Sequence, residues 1–210
     1  MMTLATKPRR GRPPKVTREN HDTRAELIRS GLEHLTEYGF SSSGIEAILK
    51  KVGVPKGSFY HYFASKEAFG ETVIAHYDGY FSGKLDMHLL NTDYSPIGRL
   101  QHFVDDAVQG MARHNFKRGC LVGNLGQEVD GLPSAFRGQL TAIFARWQQR
   151  VQTCLIEAQA SGEVAQSADC TQLAEFFWIG WEGAVSRAKL VQNAQPLGLF
   201  MQYFLQALPK

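Results

Sequence analysis

Cysteine is scarce in this 210-residue chain, and the three present, Cys120, Cys154 and Cys170, lie too far apart for a disulfide framework or a zinc finger. Seven histidines occur, none in a metal-binding spacing such as His-Glu-x-x-His, so neither metal nor cofactor is expected. No apolar run reaches the ~18 residues a membrane helix needs. The basic, proline-rich start lacks a hydrophobic signal-peptide region, so the expectation is a cytoplasmic protein with no membrane partner. Acidic residues are absent from positions 1–18, which carry Lys7, Arg9, Arg10, Arg12, Lys15 and Arg18. Of the formal net charge of +3, the remaining residues therefore contribute −3, and positive charge is gathered in one arm.

Helical patterning fills the rest of the chain. Hydrophobic residues make up 43% of the chain, enough for a core, so disorder is not the default. Thr23-Arg24-Ala25-Glu26 has capping-box form ahead of a stripe at Ile28, Gly31, Leu32 and Leu35, which ends near Gly39. Ser43-Gly44-Ile45-Glu46 has the same form ahead of Ile45, Ile48, Leu49 and Val52. Gly53 suits a left-handed helix end, Val54 can pack back on the helix it leaves, and Pro55 suits the first position of the next.

Over residues 55–63 a helix places Phe59, Tyr62 and Phe63 on one side and Gly57, Ser58, Tyr60 and His61 on the other. Nine helical residues span roughly 13 Å, enough to lie in a DNA major groove. Two short helices about a glycine turn match a helix-turn-helix with this segment as its recognition helix. Candidate DNA contacts are Lys56, Gly57, Ser58, Tyr60 and His61, with Ser43 at the preceding helix start. Lys66, at the start of a long fourth helix capped by Ser65 and running to about Leu90, could hold a phosphate. Arg10-Gly11-Arg12-Pro13 resembles the core of an AT-hook, which would carry Arg10 and Arg12 into a minor groove. A solvated basic tail is the alternative.

Beyond a turn-rich break at 91–96, helical patterns cover roughly 96–115, 120–130, 134–160, 169–193 and 196–208, with no strand-like alternation. The expected fold is all-α with about nine helices. A disordered basic arm (1–20) precedes a three-helix DNA-binding domain (21–67) and a larger ligand-binding and dimerisation domain (68–210).

Gly-Val-Pro-Lys-Gly-Ser-Phe-Tyr-His-Tyr-Phe-Ala-Ser-Lys-Glu, residues 53–67, closely resembles the signature of TetR-family transcriptional repressors, a likeness extending from about Thr23 to Phe69. Leu49 and Val52 stand where that family often has Ala, and Pro55 where it often has Ser. The resemblance implies a homodimer formed by the last two helices as a four-helix bundle, binding a palindromic double-stranded DNA operator until a small-molecule inducer releases it. Those helices are strongly apolar: Phe176, Phe177, Ile179 and Leu190 lie on one, Leu197, Phe200, Met201 and Phe204 on the other. Gly180, Gly183, Ala184 and Ala188 would let another helix approach closely.

Cys120 follows Lys117 and Arg118 at an expected helix start, both features that lower a thiol pKa. A buried, inert cysteine is the alternative. Gly119-Cys120-Leu121 through Glu128, and Trp178-Ile179-Gly180-Trp181-Glu182-Gly183 with Ala188-Lys189, resemble a TetR subgroup that senses reactive small molecules. That resemblance implies Cys120 and Lys189 as sensor residues, and an electrophilic ligand of acrylate type. Asn124, Gln127, Glu128, Trp178, Trp181 and Glu182 would line the same cavity, or equally serve as core and dimer-interface groups. Other readings are a reversible binder of a non-electrophilic metabolite, a Cys120 enzyme using a histidine such as His114, and an architectural DNA binder relying on the arm.

Overall fold

A computed structural model describes residues 23–210. Among them it holds nine α-helices, one short 3-10 turn at Val129–Gly131 and no strand. The helices are α1 (Thr23–Tyr38), α2 (Ile45–Val52), α3 (Lys56–Phe59), α4 (Lys66–Leu89), α5 (Pro96–Arg113), α6 (Leu121–Gly126), α7 (Ser134–Ala160), α8 (Cys170–Val191) and α9 (Gln195–Ala207). The all-α expectation holds. Arg10 and Arg12 lie outside the described residues.

The first three helices form around a stripe that the sequence spells out. Ile45, Ile48 and Leu49 of α2 are buried, as are Leu27, Ile28 and Leu35 of α1. Gly53 takes φ +68, its N–H bonds the Lys50 carbonyl and that of Val54 bonds the Leu49 carbonyl, a Schellman ending that needs a glycine. Pro55 is the N-cap of α3 rather than its first residue, so the helix starts one residue later than expected. The α-helical part of α3 is only four residues long. His61, Tyr62 and Phe63 continue the winding through N–H bonds to Ser58, Phe59 and Phe59, so the helical stretch is about half the expected nine residues. Phe59 and Phe63 are buried, with Phe69 of α4 at 5.4 and 4.9 Å between ring centroids. Tyr62, expected on that buried side, is 40% exposed.

Neither expected capping box starts its helix, whereas Ser65 caps α4 as expected and Asp169 caps α8. Thr23 is already helical, so its helix's cap lies outside the described residues. Gly44, not Ser43, caps α2 and makes no side-chain bond. Ser65 accepts from the Ala68 N–H at 3.0 Å, and Asp169 accepts from Thr171 and Gln172 at 2.9 and 3.0 Å.

α4 runs from the three-helix head into the larger body, packing against α1 at one end and α5 and α7 along its length. α8 is sandwiched between α7 and α9. Trp147, Trp178 and Phe177 fill the body's centre, with the Trp147 and Trp178 rings 5.2 Å apart. Each such side chain contributes roughly 2–3 kcal/mol by leaving water, so the body is a rigid frame for what it holds.

Candidate functional site

The outward face of the helix-turn-helix is open. A Cβ built on Gly57 would meet nothing within 4 Å, so the chain itself has no need of glycine there. Tyr60 is 53% exposed and His61 is exposed; Ser58 is half-buried. Lys56 reaches Glu46 of α2 at 2.5 Å, and this carboxylate raises its pKa. Two further expected contacts are committed elsewhere. Ser43 is buried and donates to the Gly39 carbonyl at 2.5 Å. Lys66 donates to the Phe40 carbonyl at 2.8 Å and lies 4.3 Å from the Phe40 ring centroid.

Three residues expected in the ligand cavity instead grip the end of α1. Asn124 donates to the Thr36 carbonyl at 2.6 Å. Lys189 donates to the carbonyls of Thr36 and Glu37 at 3.2 and 3.0 Å. A helix C-terminus exposes unpaired carbonyls and negative potential, which an ammonium and an amide both complement. Glu128 accepts from the Phe40 and Ser41 N–H groups, at 2.7 Å for the latter. Gly39, at φ +81, permits this, because a Cβ there would lie 1.9 Å from Glu128 Oε1. Gln127 is exposed on an outer depression with Gly183 and Arg187, and Trp178 is buried in the aromatic core. None of these five lines the cavity. Their sequence separations from the groups they hold, 87 residues or more for the first three, hid the contacts.

The cavity that does exist has a volume of about 410 Å³ and lies between α1, α4, α5 and α8. Leu32, Tyr77, Phe81, Met111, Trp181 and Val185 give it apolar walls; Cys120 and Gly119 close one side. Arg29, Lys84, Arg113 and Arg118 reach it against one carboxylate, Glu33. Lys84 pairs with Asp106, and Arg118 with Glu33 and Glu37 at 3.4 and 3.7 Å. Sequence reasoning named Cys120 and Trp181 but missed Tyr77, Lys84 and Arg113 as lining residues. Tyr77, Phe81 and Lys84 follow one another at helical spacing on α4, which was the available signal.

Cys120 caps α6, its Sγ accepting from the Gly123 N–H at 3.3 Å. Against expectation, its thiol pKa stands well above the usual value. Burial is the main cause, followed by the Glu182 carboxyl, and the helix-start N–H offsets them only in part. Arg118 is turned to α1 and Lys117 is exposed, so neither cation supports a thiolate. Tyr77 faces the same sulfur, and burial raises its hydroxyl too. Glu182 rests against the bare backbone of Gly123, where a Cβ would sit 1.6 Å from its Oε2. Its Oε1 is buried without a hydrogen-bond partner, and burial lifts its pKa to about 7. Cys120 and Tyr77 thus line the cavity, whereas Glu182, expected there as well, does not, its carboxyl lying buried against Gly123 beside them.

A helix-turn-helix head, a long connecting helix and a helical body with a cavity at their junction is the arrangement of a ligand-controlled DNA-binding protein. Residues 27–71 match the family described as bacterial regulatory proteins, tetR family, and residues 96–204 match the tetracyclin repressor-like C-terminal domain. The chain belongs to the TetR family. It is 51% identical over 202 residues to the transcriptional regulator AcuR of Cereibacter sphaeroides, spanning 96% of this chain and 92% of that one. A solved structure of a regulatory protein TetR from Rhodobacter sphaeroides, 50% identical, superposes with a TM-score of 0.87 over 89% of this chain and 98% of its own. More distant is the transcriptional repressor NemR of Escherichia coli, 29% identical over 84% of this chain and 89% of that one. This TetR-family chain is a DNA-binding transcriptional repressor. No helix among its described residues is long and apolar enough to cross a membrane.

Proposed function

We propose that the chain is a homodimeric repressor, released from a palindromic operator when a small electrophile of acrylate type enters the junction cavity and reacts with Cys120. The observation that carries this reading is the cavity's position. α1 forms one wall and α4, α5 and α8 the others, so an occupant touches head and body together. A ligand shifts an equilibrium only by binding one state better, and a site shared by two bodies discriminates between their arrangements. Cations among the lining residues suit a carboxylate, and Cys120 in the same lining offers a nucleophile to an activated alkene.

The dimer follows from exposed apolar surface. Ile179 and Leu190 of α8 are 68% and 75% exposed, and Leu199 and Tyr203 of α9 are also exposed. Such a contiguous apolar face marks an interaction surface. Gly183 points outward into open space and fits close helix approach, whereas Gly180 is already covered by the Phe200 ring and Ala184 and Ala188 are buried within the subunit. Two-fold pairing would set two copies of α3 facing a palindrome, with Lys56, Gly57, Ser58, Tyr60 and His61 toward DNA.

The raised thiol pKa of Cys120 favours a second reading, reversible binding of an unreactive carboxylate in the same cavity. Titrating the protein on its own promoter DNA with acrylate, and weighing the intact chain afterwards, separates them. Release with an adduct at Cys120 supports the first reading; release of an unmodified chain supports the second. DNA binding unchanged by acrylate overturns the acrylate-type assignment.

A further inference from the structure

We propose that Glu182 is the proton acceptor that arms Cys120, taking the thiol proton as sulfur adds to an activated alkene, with the Tyr77 hydroxyl steadying the sulfur. This rests on the electrophile-sensing reading and assigns the residue that makes a buried thiol competent. Cys120 and Tyr77 both line the cavity, and Gly123 brings thiol and carboxyl together: its N–H bonds Cys120 Sγ at 3.3 Å, while the Glu182 carboxyl is pressed against it with one oxygen buried and unbonded. An acceptor held in this position, interacting with the reacting atom, is arranged for proton transfer rather than for a salt bridge.

Most of the neighbouring charged groups are engaged elsewhere. Lys84 of α4 is paired with Asp106, Arg118 with Glu33 and Glu37, and Lys189 with the α1 carbonyls. Arg113 and His114, at the end of α5, face the cavity, but among the described residues no cation forms an ion pair with Glu182. Burial keeps the thiol protonated near neutrality, so free thiolate is scarce. Glu182, with its pKa near 7, is substantially ionised there and can accept.

The step balances within the site. The C–S bond forms at the β-carbon as the S–H bond breaks toward Glu182. The alkene's electron pair moves to the α-carbon, and the protonated Glu182 returns its proton there. Nothing is oxidised, and the product is a thioether with Glu182 ionised again.

The test measures the rate of adduct formation at Cys120 by intact mass with methyl acrylate, across pH 6–9, in the full-length protein. Cys120→Ser marks the background from Cys154 and Cys170. We expect the wild-type rate to rise through about pH 7, and Glu182→Gln to lower it roughly 10²-fold at pH 7.5. The opposite sign decides against the proposal. If Glu182 merely repels the thiolate, its neutralisation leaves the rate unchanged or speeds it, which overturns the assignment while electrophile sensing stands. Wild-type protein that gains no mass at Cys120 sinks both. Should Glu182→Gln fail to fold, Glu182→Asp substitutes: an unchanged rate and pH midpoint overturn the proposal, and a fall of about 10-fold or more with the pH midpoint moved supports it.

Discussion

Lys189 of α8 donates its ammonium to the carbonyl of Glu37, the penultimate residue of α1, at 3.0 Å. The bond joins the larger helical body to the helix-turn-helix head across 152 residues of sequence. With Asn124 and Glu128 it forms a three-point hold on α1 and the loop after it, beside the cavity. A change in the cavity can reach the head through α1 without passing along α4.

Lys189→Met should therefore weaken control more than it weakens folding. Removing a charged donor from helix-end carbonyls costs about 1–2 kcal/mol. Urea denaturation should show that loss, while the concentration of inducer needed for half-release from promoter DNA shifts several-fold. An inducer response identical to wild type would show that α1 is not part of the relay.

Glu128→Ala should be harsher. Its carboxylate serves two backbone N–H groups of the loop between α1 and α2, and a charge-assisted bond of this kind is worth roughly 1.5–3 kcal/mol. We expect faster hydrogen exchange at Phe40 and Ser41 and weaker operator binding. Protection unchanged at those amides would contradict the assignment.

Glu182 gives a pH signature of stability. Its folded pKa of about 7 lies above the usual 4.5, so between these values the folded chain holds more protons than the unfolded one. Stability therefore falls as pH rises from about 4.5 to about 7, by roughly 3 kcal/mol from this group, and then levels. Glu182→Gln lacks that dependence. It should be more stable than wild type above pH 7 by a margin that disappears near pH 4, as thermal or denaturant melts across pH would record.

Gly57→Ala separates reading from folding. The added methyl meets nothing in the chain and alanine favours the helix by up to ~1 kcal/mol, so stability should be unchanged or higher. A groove-facing position predicts weaker operator binding, measured by fluorescence anisotropy on the promoter. Full affinity would place residue 57 away from DNA.

Ile179→Lys tests the apolar face of α8. Since this side chain is exposed in the subunit, its replacement should alter subunit stability by no more than about 0.5 kcal/mol. Sedimentation should nevertheless show a 23.5 kDa monomer gaining over the dimer. A mass unchanged at all concentrations would move the interface elsewhere.

Local signals in the sequence located most of the helices. The bounds of α7, 134–160, agree with expectation because Pro133 and Ser161-Gly162 stop the pattern on both sides. Gly53 announced its own left-handed turn. The length of α3 was not legible, since aromatic spacing continues to Phe63 although the chain narrows into tighter turns after Phe59. The expected lowering of the Cys120 thiol pKa failed for a comparable reason. Its neighbours in sequence, Lys117 and Arg118, turn away, and its electrostatics are set by burial and by a carboxyl 62 positions later. Asn124, Glu128 and Lys189 were expected at the ligand cavity, and only the fold reveals that they hold α1 and the loop after it.

All three tryptophans, Trp147, Trp178 and Trp181, sit in the body, and the head from α1 to α3 has none. Only Trp181 borders the cavity. Intrinsic emission is thus an unlabelled gauge of cavity filling, and one indifferent to direct contact between the head and DNA. Adding both partners in either order would let a spectrometer time ligand entry apart from DNA departure, in a protein carrying no dye.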